Sequence, residues 1–299
     1  MSYTHPALRR YHSDFSTTDR WAGFVNKPND VFVCTPPKCG TTWTMTIVAM
    51  LCQGRTDIIP TDIVHWVDAN VVTIEEITKT LEAQNHQRCI KTHSPFDGIP
   101  WFKNGHYIAV YRHPIDLLFS VRKHMQNTKV MEEDHPYLAA PEDCMKHFIE
   151  AKMDLDDYDD IILESIFTHF KSFLKQPRPD NLLILHYADM LVESRTAIER
   201  IAAHIGFPES PEFLDKVLEA TAFSNMRANA KQFAPYATRD YWHDPKAFFD
   251  SGKSNKWVGV IGEETLVAYK NRMTDFLKPE EIAWLENGSV GSGIDCSSL

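Results

Sequence analysis

The sequence lacks a long apolar run, a paired-cysteine motif and an excess of positive charge, and each absence removes a class of protein. No apolar stretch approaches the ~20 residues of a membrane-crossing helix, so no transmembrane segment is expected. The first twenty residues carry His, Arg, Tyr and Asp and no apolar core, unlike a secretory signal peptide. The six cysteines, Cys34, Cys39, Cys52, Cys89, Cys144 and Cys296, form no CxxC pair and no zinc-like Cys/His spacing. Several sit inside apolar runs, which reads as buried free thiols in a reducing compartment. The expected location is therefore cytoplasmic, with no metal site. A net charge of −10, from 31 basic and 41 acidic residues, opposes nucleic acid or an anionic membrane as the main partner. A small anionic ligand stays compatible with that charge, because it needs only local cations and oriented amides.

What is present fits one large α/β domain spanning 1–299. Of the 299 residues 43% are hydrophobic and 24% charged, enough for a sizeable core without disulfide or metal staples. There is no internal repeat and no sign of a second domain. The core is expected over about 30–287, with the Gly/Ser-rich stretch 288–299 as a disordered tail. Short apolar runs alternate with helical patterns. Val31–Cys34, Cys89-Ile90, Tyr107–Tyr111 and Leu182–Tyr187 read as strands; Thr42–Cys52, Pro114–Met125 and Met190–Ile205 read as helices. Continuous apolar strands that each feed a helix predict a central parallel sheet flanked by helices on both faces. Ligands in such sheets bind beyond the carboxyl ends of the strands. Two stretches read less regularly: the acidic run Asp154–Asp160 as a solvated helix face, and Phe233–Lys256 as a long loop of the kind that forms lids.

The segment Thr35-Pro36-Pro37-Lys38-Cys39-Gly40-Thr41-Thr42-Trp43 follows one strand and opens one helix. There the amides of Cys39 to Thr42 point out of a helix N-terminus, where an anion is favoured. Gly40 permits close approach, the threonines add hydroxyl donors and Lys38 adds a point charge. It is not the nucleotide-triphosphatase P-loop, since the lysine precedes the glycine and the earlier glycine is missing. A bare strand-to-helix turn is the alternative, but Lys38 and two threonines are more donors than such a turn needs.

This loop resembles the 5'-phosphosulfate loop of sulfotransferases that use 3'-phosphoadenosine 5'-phosphosulfate (PAPS), usually Pro-Lys-Ser-Gly-Thr-Thr-Trp. Cys39 takes the serine position. Lys91-Thr92-His93-Ser94-Pro95 is similar to the family's Lys-Thr-His-x-Pro, whose histidine is the general base. Alone, a histidine there is more often structural than catalytic. The chemistry asks for such a group, since an alcohol is a poor nucleophile until its proton is accepted. Arg112-His113-Pro114, Asp116 and Ser120 resemble the family's 3'-phosphate site, with Arg112 and Ser120 on the phosphate; a surface ion pair of Arg112 with Asp116 is the plainer alternative. Tyr187–Met190 is similar to the family's adenine-side Tyr-x-Asp-Met. Thr221, Phe223 and Met226 match Thr-Ser-Phe-x-x-Met, whose aromatic packs on the base. Phe249, Gly252 and Lys253 fall in Phe248–Trp257, which resembles the loop over the 3'-phosphate. There Asp250 replaces an arginine and is expected to point away, with Lys253 or Lys256 compensating.

The resemblance runs from about Val31 to Trp257, closest in pattern to bacterial glycolipid-sulfotransferase-like members. It implies a P-loop-like sulfotransferase fold, PAPS as co-substrate without a metal, and in-line sulfuryl transfer to a hydroxyl. His93, Lys38 and Lys91 are the implied catalytic residues. Lys38, Cys39, Gly40, Thr41, Thr42 and Trp43 are implied to bind the cofactor with the 3'-phosphate and adenine residues above. The implied partner is a small-molecule or lipid or glycolipid hydroxyl acceptor, with Trp66, Phe96, Trp101, Tyr137, Tyr236 and Trp242 as candidates for its pocket. Two readings compete: a catalytically weak nucleotide-binding protein of the same fold, motivated by Asp250, and a P-loop kinase. Arg112, where magnesium enzymes want an aspartate, opposes the kinase. The family's Lys-x-x-x-Thr-Val dimerisation pattern is lacking, which leaves the oligomeric state open.

Overall fold

Alternate residues of the run Val31–Cys34 fall in two separate cores. Val31 and Val33 pack with Ile47, Val48 and Leu51, whereas Phe32 and Cys34 pack with Tyr107, Tyr111 and Phe170. A strand buried on both faces is what a continuous apolar run in a helix-covered parallel sheet requires. The computed structural model describes residues 3–132, 134–174, 177–208 and 210–299. The strands are β1 (Tyr3–His5), β2 (Val31–Cys34), β3 (His65–Trp66), β4 (Cys89–Thr92), β5 (Trp101–Phe102), β6 (His106–Tyr111) and β7 (Leu182–His186).

Five strands form one sheet in the order β3-β4-β2-β6-β7, every neighbouring pair parallel, while β1 and β5 make a small antiparallel pair. The chain leaves β2 for one side of the sheet and returns to the other, so the strand order reverses at β2. A crevice opens at such a reversal beyond the strand ends. On one face lie the helices Thr41–Gln53 and Ser194–His204; on the other lies Leu163–Phe173.

Most expected elements are present, with four departures. The helix expected over Met190–Ile205 is two, Tyr187–Val192 and Ser194–His204, broken at Glu193 (φ −123°, ψ 53°). The acidic run is no helix face but a bent loop. Asp159 accepts from the Ile161 amide at 2.8 Å and the Tyr137 hydroxyl at 3.0 Å, while Tyr158 is buried. Aspartates that bond nearby amides favour turns over helix. The stretch Phe233–Lys256 contains the 3₁₀ turn Pro245–Phe248, capped by Asp244, and is tied across by Trp242 Nε1 donating to the Pro235 carbonyl at 2.6 Å.

The tail 288–299 is ordered, contrary to its composition. The helix Pro279–Ser292 runs through a break at Gly288 (φ 70°), and a 3₁₀ turn follows at Cys296–Ser298. The Asp189 carboxylate takes the amides of Ser289 at 2.8 Å and Val290 at 2.9 Å, which gives the glycine-rich segment a fixed seat.

Candidate active site

Parallel register brings the motif residues to one edge. Cys34 pairs with Thr92 and Ala109, and Tyr111 pairs with His186, so the segments beginning at Thr35, His93, Arg112 and Tyr187 leave the sheet side by side. They surround one cavity of about 1000 Å³. Lys38, Gly40, Thr41, Thr42, Trp43, Lys91, His93, Arg112 and Ser120 line it, as do Tyr187, Thr221, Phe223, Met226, Phe249, Gly252 and Lys253. Cys39 is the exception: its thiol lies fully buried in the core beneath the loop, and burial pushes its pKa up to about 12.

The loop's backbone is unusual for good reason. Lys38 (φ 60°) and Gly40 (φ 90°) are left-handed on either side of Cys39, the alternation that turns successive amides toward an anion. At Gly40 a Cβ would also lie 2.9 Å from Tyr187 Cδ2. The first helical bond is Thr44 N–H to the Gly40 carbonyl at 2.9 Å, which leaves the preceding turn's amides without helical partners. Thr41 Oγ1 sits 2.6 Å from Thr35 Oγ1, pinning the loop to the end of β2.

Among the described residues Arg112 forms no surface ion pair. It is only 9% exposed, its guanidinium lies 4.6 Å from the Tyr187 ring centroid, and Nη1 donates to the Lys38 carbonyl at 3.4 Å. Its Nε is buried with no hydrogen-bond partner among the described residues. Asp116, the alternative partner, instead accepts from the Asn255 amide at 2.7 Å. A buried guanidinium with an unspent donor beside an amide-lined loop fits a nucleotide carrying two separated anionic groups.

His93 is buried, and its Nδ1 lies 2.5 Å from the Thr35 carbonyl. A carbonyl only accepts, so Nδ1 carries the hydrogen and Nε2 keeps its lone pair. Burial, then the Lys91 charge, hold the imidazole well below its ordinary pKa, leaving it neutral. Trp66 meets the ring edge-on at 4.6 Å. Lys91 lies with Nζ 3.4 Å over the same indole. Burial brings Lys91 down to about 7, opposed by Asp160 and Asp68. Lys38 is likewise brought down to about 7, by burial and then by Arg112, against Asp250. An anion among these cations would raise their pKa values again.

Two further expectations are corrected. Asp250 does not point away: it lines the cavity, and Lys256 Nζ donates to its carboxylate. That pairing removes the repulsion on which the expectation rested. Among the acceptor-pocket aromatics, Trp66, Tyr236 and Trp242 line the cavity, whereas Phe96, Trp101 and Tyr137 are core residues. Phe15, on an N-terminal segment, joins the wall and meets Trp66 edge-on at 5.1 Å. Sequence reasoning also missed Asp68, which accepts from Ser94 Oγ at 2.6 Å and from Thr92 Oγ1 and so fixes the turn carrying His93. It missed Asp160 too, half-buried near Lys91 and pushed up to about 8 by desolvation and Asp159. Among the described residues no group of three or more His, Cys, Asp or Glu is arranged to hold a metal, and no helix is long and apolar enough to cross a membrane.

The comparisons with known proteins identify the family. A family model described as the sulfotransferase domain matches residues 28–278. A glycolipid sulfotransferase of Mycobacterium bovis (strain BCG / Pasteur 1173P2) is 27% identical, covering 97% of this chain and 98% of its own. Sulfotransferase 1 family member D1 of Mus musculus is 24% identical over 91% of each. Among solved structures, retinol dehydratase in complex with androsterone and the inactive cofactor PAP superposes with a TM-score of 0.69 at 20% identity, over 87% of this chain and 84% of that one. Mouse sulfotransferase SULT7A1 complexed with PAP gives 0.66 at 18% identity, over 89% of each. With its family domain spanning every strand of the large sheet and the cavity at their ends, the chain belongs to the sulfotransferase family and is an enzyme of that class.

Proposed function

We propose that the protein transfers the sulfuryl group of PAPS to a hydroxyl of a partly apolar acceptor, with His93 as general base. The observation that carries this reading is the tautomer fixed by the Thr35 carbonyl, which leaves a neutral, buried imidazole with its Nε2 lone pair available in the cavity. PAPS, when bound, supplies the sulfuryl group and the leaving nucleotide. The amides of Cys39 to Trp43 and the Lys38 ammonium hold its 5' end, and Arg112 with Ser120 holds the 3'-phosphate. Tyr187, Thr221, Phe223 and Met226 flank the adenine, and Phe249, Gly252 and Lys253 close over the 3' side. Lys38 and Lys91 stabilise negative charge as it develops, a preorganised electrostatic role that needs no metal.

The mixture of Phe15, Trp66, Tyr236 and Trp242 in the wall suits an acceptor with a substantial apolar part. Together with the mycobacterial relative's name, this favours a glycolipid or another lipid-linked hydroxyl. The test is transfer of labelled sulfate from PAPS over a panel of alkyl glycosides, alkanols, sterols and phenols, run beside calorimetric titration with 3'-phosphoadenosine 5'-phosphate (PAP). Transfer to at least one alkyl glycoside with PAP binding is expected. No binding at millimolar PAP and no transfer would overturn the proposal. PAP binding without transfer to any acceptor would favour a catalytically weak nucleotide-binding protein.

A further inference from the structure

Lys38 is met by a residue outside every motif described above. His124, on the helix Pro114–Asn127, places Nδ1 at 3.1 Å from Lys38 Nζ. Its ring is fixed edge-on against Trp242 (centroids 4.9 Å apart, 83°) and Phe248 (5.9 Å, 65°). Lys38 Nζ itself lies 4.4 Å from the Phe248 ring centroid. An ammonium only donates, so His124 must present a lone pair at Nδ1 and carry its hydrogen on Nε2. His124 follows Ser120 by one helical turn, so both face the cavity they line.

We propose that His124 is a positioning residue that accepts the Lys38 hydrogen bond and fixes the catalytic cation against the wall made by Trp242 and Phe248. The cation and the aromatic wall are then placed together, by one imidazole that touches both. The assignment rests on the role given to Lys38 in sulfuryl transfer. Burial and the Lys38 and Lys91 charges hold His124 well below its ordinary pKa, so the lone pair is retained at neutral pH.

The sign of the pH effect follows from the groups around Lys38. Arg112 at the end of β6 opposes its charge; Lys91 on β4 is itself lowered by the Lys38 charge, and His93 just beyond β4 is neutral. Asp250, itself paired with Lys256, favours it. Lys123 on the helix carrying His124 is exposed at the cavity rim. An acceptor at Nδ1 favours the ammonium, so its removal lowers the Lys38 pKa further and leaves less cation at any pH above about 7.

The test uses the full chain and two variants. His124→Phe keeps a ring against Trp242 and Phe248 but removes the acceptor; His124→Asn places an amide oxygen close to the Nδ1 position. Competitive acetylation read by mass spectrometry, without nucleotide, gives the titration midpoints of Lys38 and Lys91 in one sample. In His124→Phe the Lys38 midpoint is expected to fall by about half a pH unit or more while Lys91 stays in place; in His124→Asn both are expected near their original values. PAP affinity is expected to drop several-fold in His124→Phe at about pH 8 and less than about twofold at about pH 6, where Lys38 is charged in either protein. An unmoved Lys38 midpoint, a matching shift of Lys91, or an equal PAP loss at both pH values would overturn the assignment. If PAP fails to bind the unaltered protein while the Lys38 midpoint responds as stated, the sulfotransferase reading falls and the His124–Lys38 contact stands.

Discussion

On one side of the cavity Lys38, His93, Arg112 and Tyr187 leave the ends of β2, β4, β6 and β7, and their places are set by strand register. On the other side Tyr236, Trp242, Phe248 and the run Phe249–Lys256 come from turns held by ring contacts and a few hydrogen bonds, among them Asn127 Nδ2 to the Asp244 carbonyl at 2.8 Å. The sheet-side wall is intolerant, because His93 and Arg112 are buried and its backbone is committed to left-handed residues at Lys38 and Gly40. The turn-side wall is partly exposed, and its charges can be rearranged. An aspartate at 250 is accommodated by pairing with a lysine six residues on. The amide-lined loop and the buried guanidinium are placed by strand register, whereas the covering loop is placed by its own turns.

This contrast can be broken or sharpened by experiment. His93→Ala on the sheet side is expected to lower kcat by about a hundredfold to ten-thousandfold, the usual worth of a positioned base, while PAP affinity measured by calorimetry changes little. Arg112→Lys keeps the charge but loses the planar fork, and is expected to weaken PAP by roughly ten- to a hundredfold. Gly40→Ala places a Cβ against Tyr187 at a φ of 90°, and about tenfold weaker PAP binding is expected from strain of ~1–2 kcal/mol. Lys253→Ala on the exposed side is expected to cost less than about fivefold, and less still at high salt. If Lys253→Ala matches Arg112→Lys, the contrast between the walls is wrong. The smallest expected effect has the opposite sign: Asp250→Asn frees Lys256 toward the ligand, and PAP is expected to bind a few-fold tighter.

The parts of the site legible in the sequence are those where a motif directly follows an apolar strand. Thr35 after β2, His93 after β4 and Arg112 after β6 are such cases, because a parallel sheet with helices on both faces delivers all its strand ends to one edge. What was not legible depends on contacts distant in sequence. Trp66 and Trp101 look alike as residue types, but only packing decides that the first faces the cavity and the second stacks on Tyr107. The run Asp154–Asp160 carries no local sign that Asp159 bonds Tyr137 or that Asp160 approaches Lys91. β1, β3 and β5 are two or three residues long, too short for any periodic signal. His124 left one readable clue, its place one turn beyond Ser120, but its partner Lys38 lies 86 residues away.

The seat that Asp189 provides for Ser289 and Val290 joins residues about a hundred positions apart in the chain. During synthesis Tyr187 and Asp189 therefore emerge from the ribosome long before the segment that will brace them. Tyr187 forms the face on which both Gly40 and Arg112 rest. Tyr187 thus sits on a helix whose Asp189 finds these two amide partners only once residues 289 and 290 have been made.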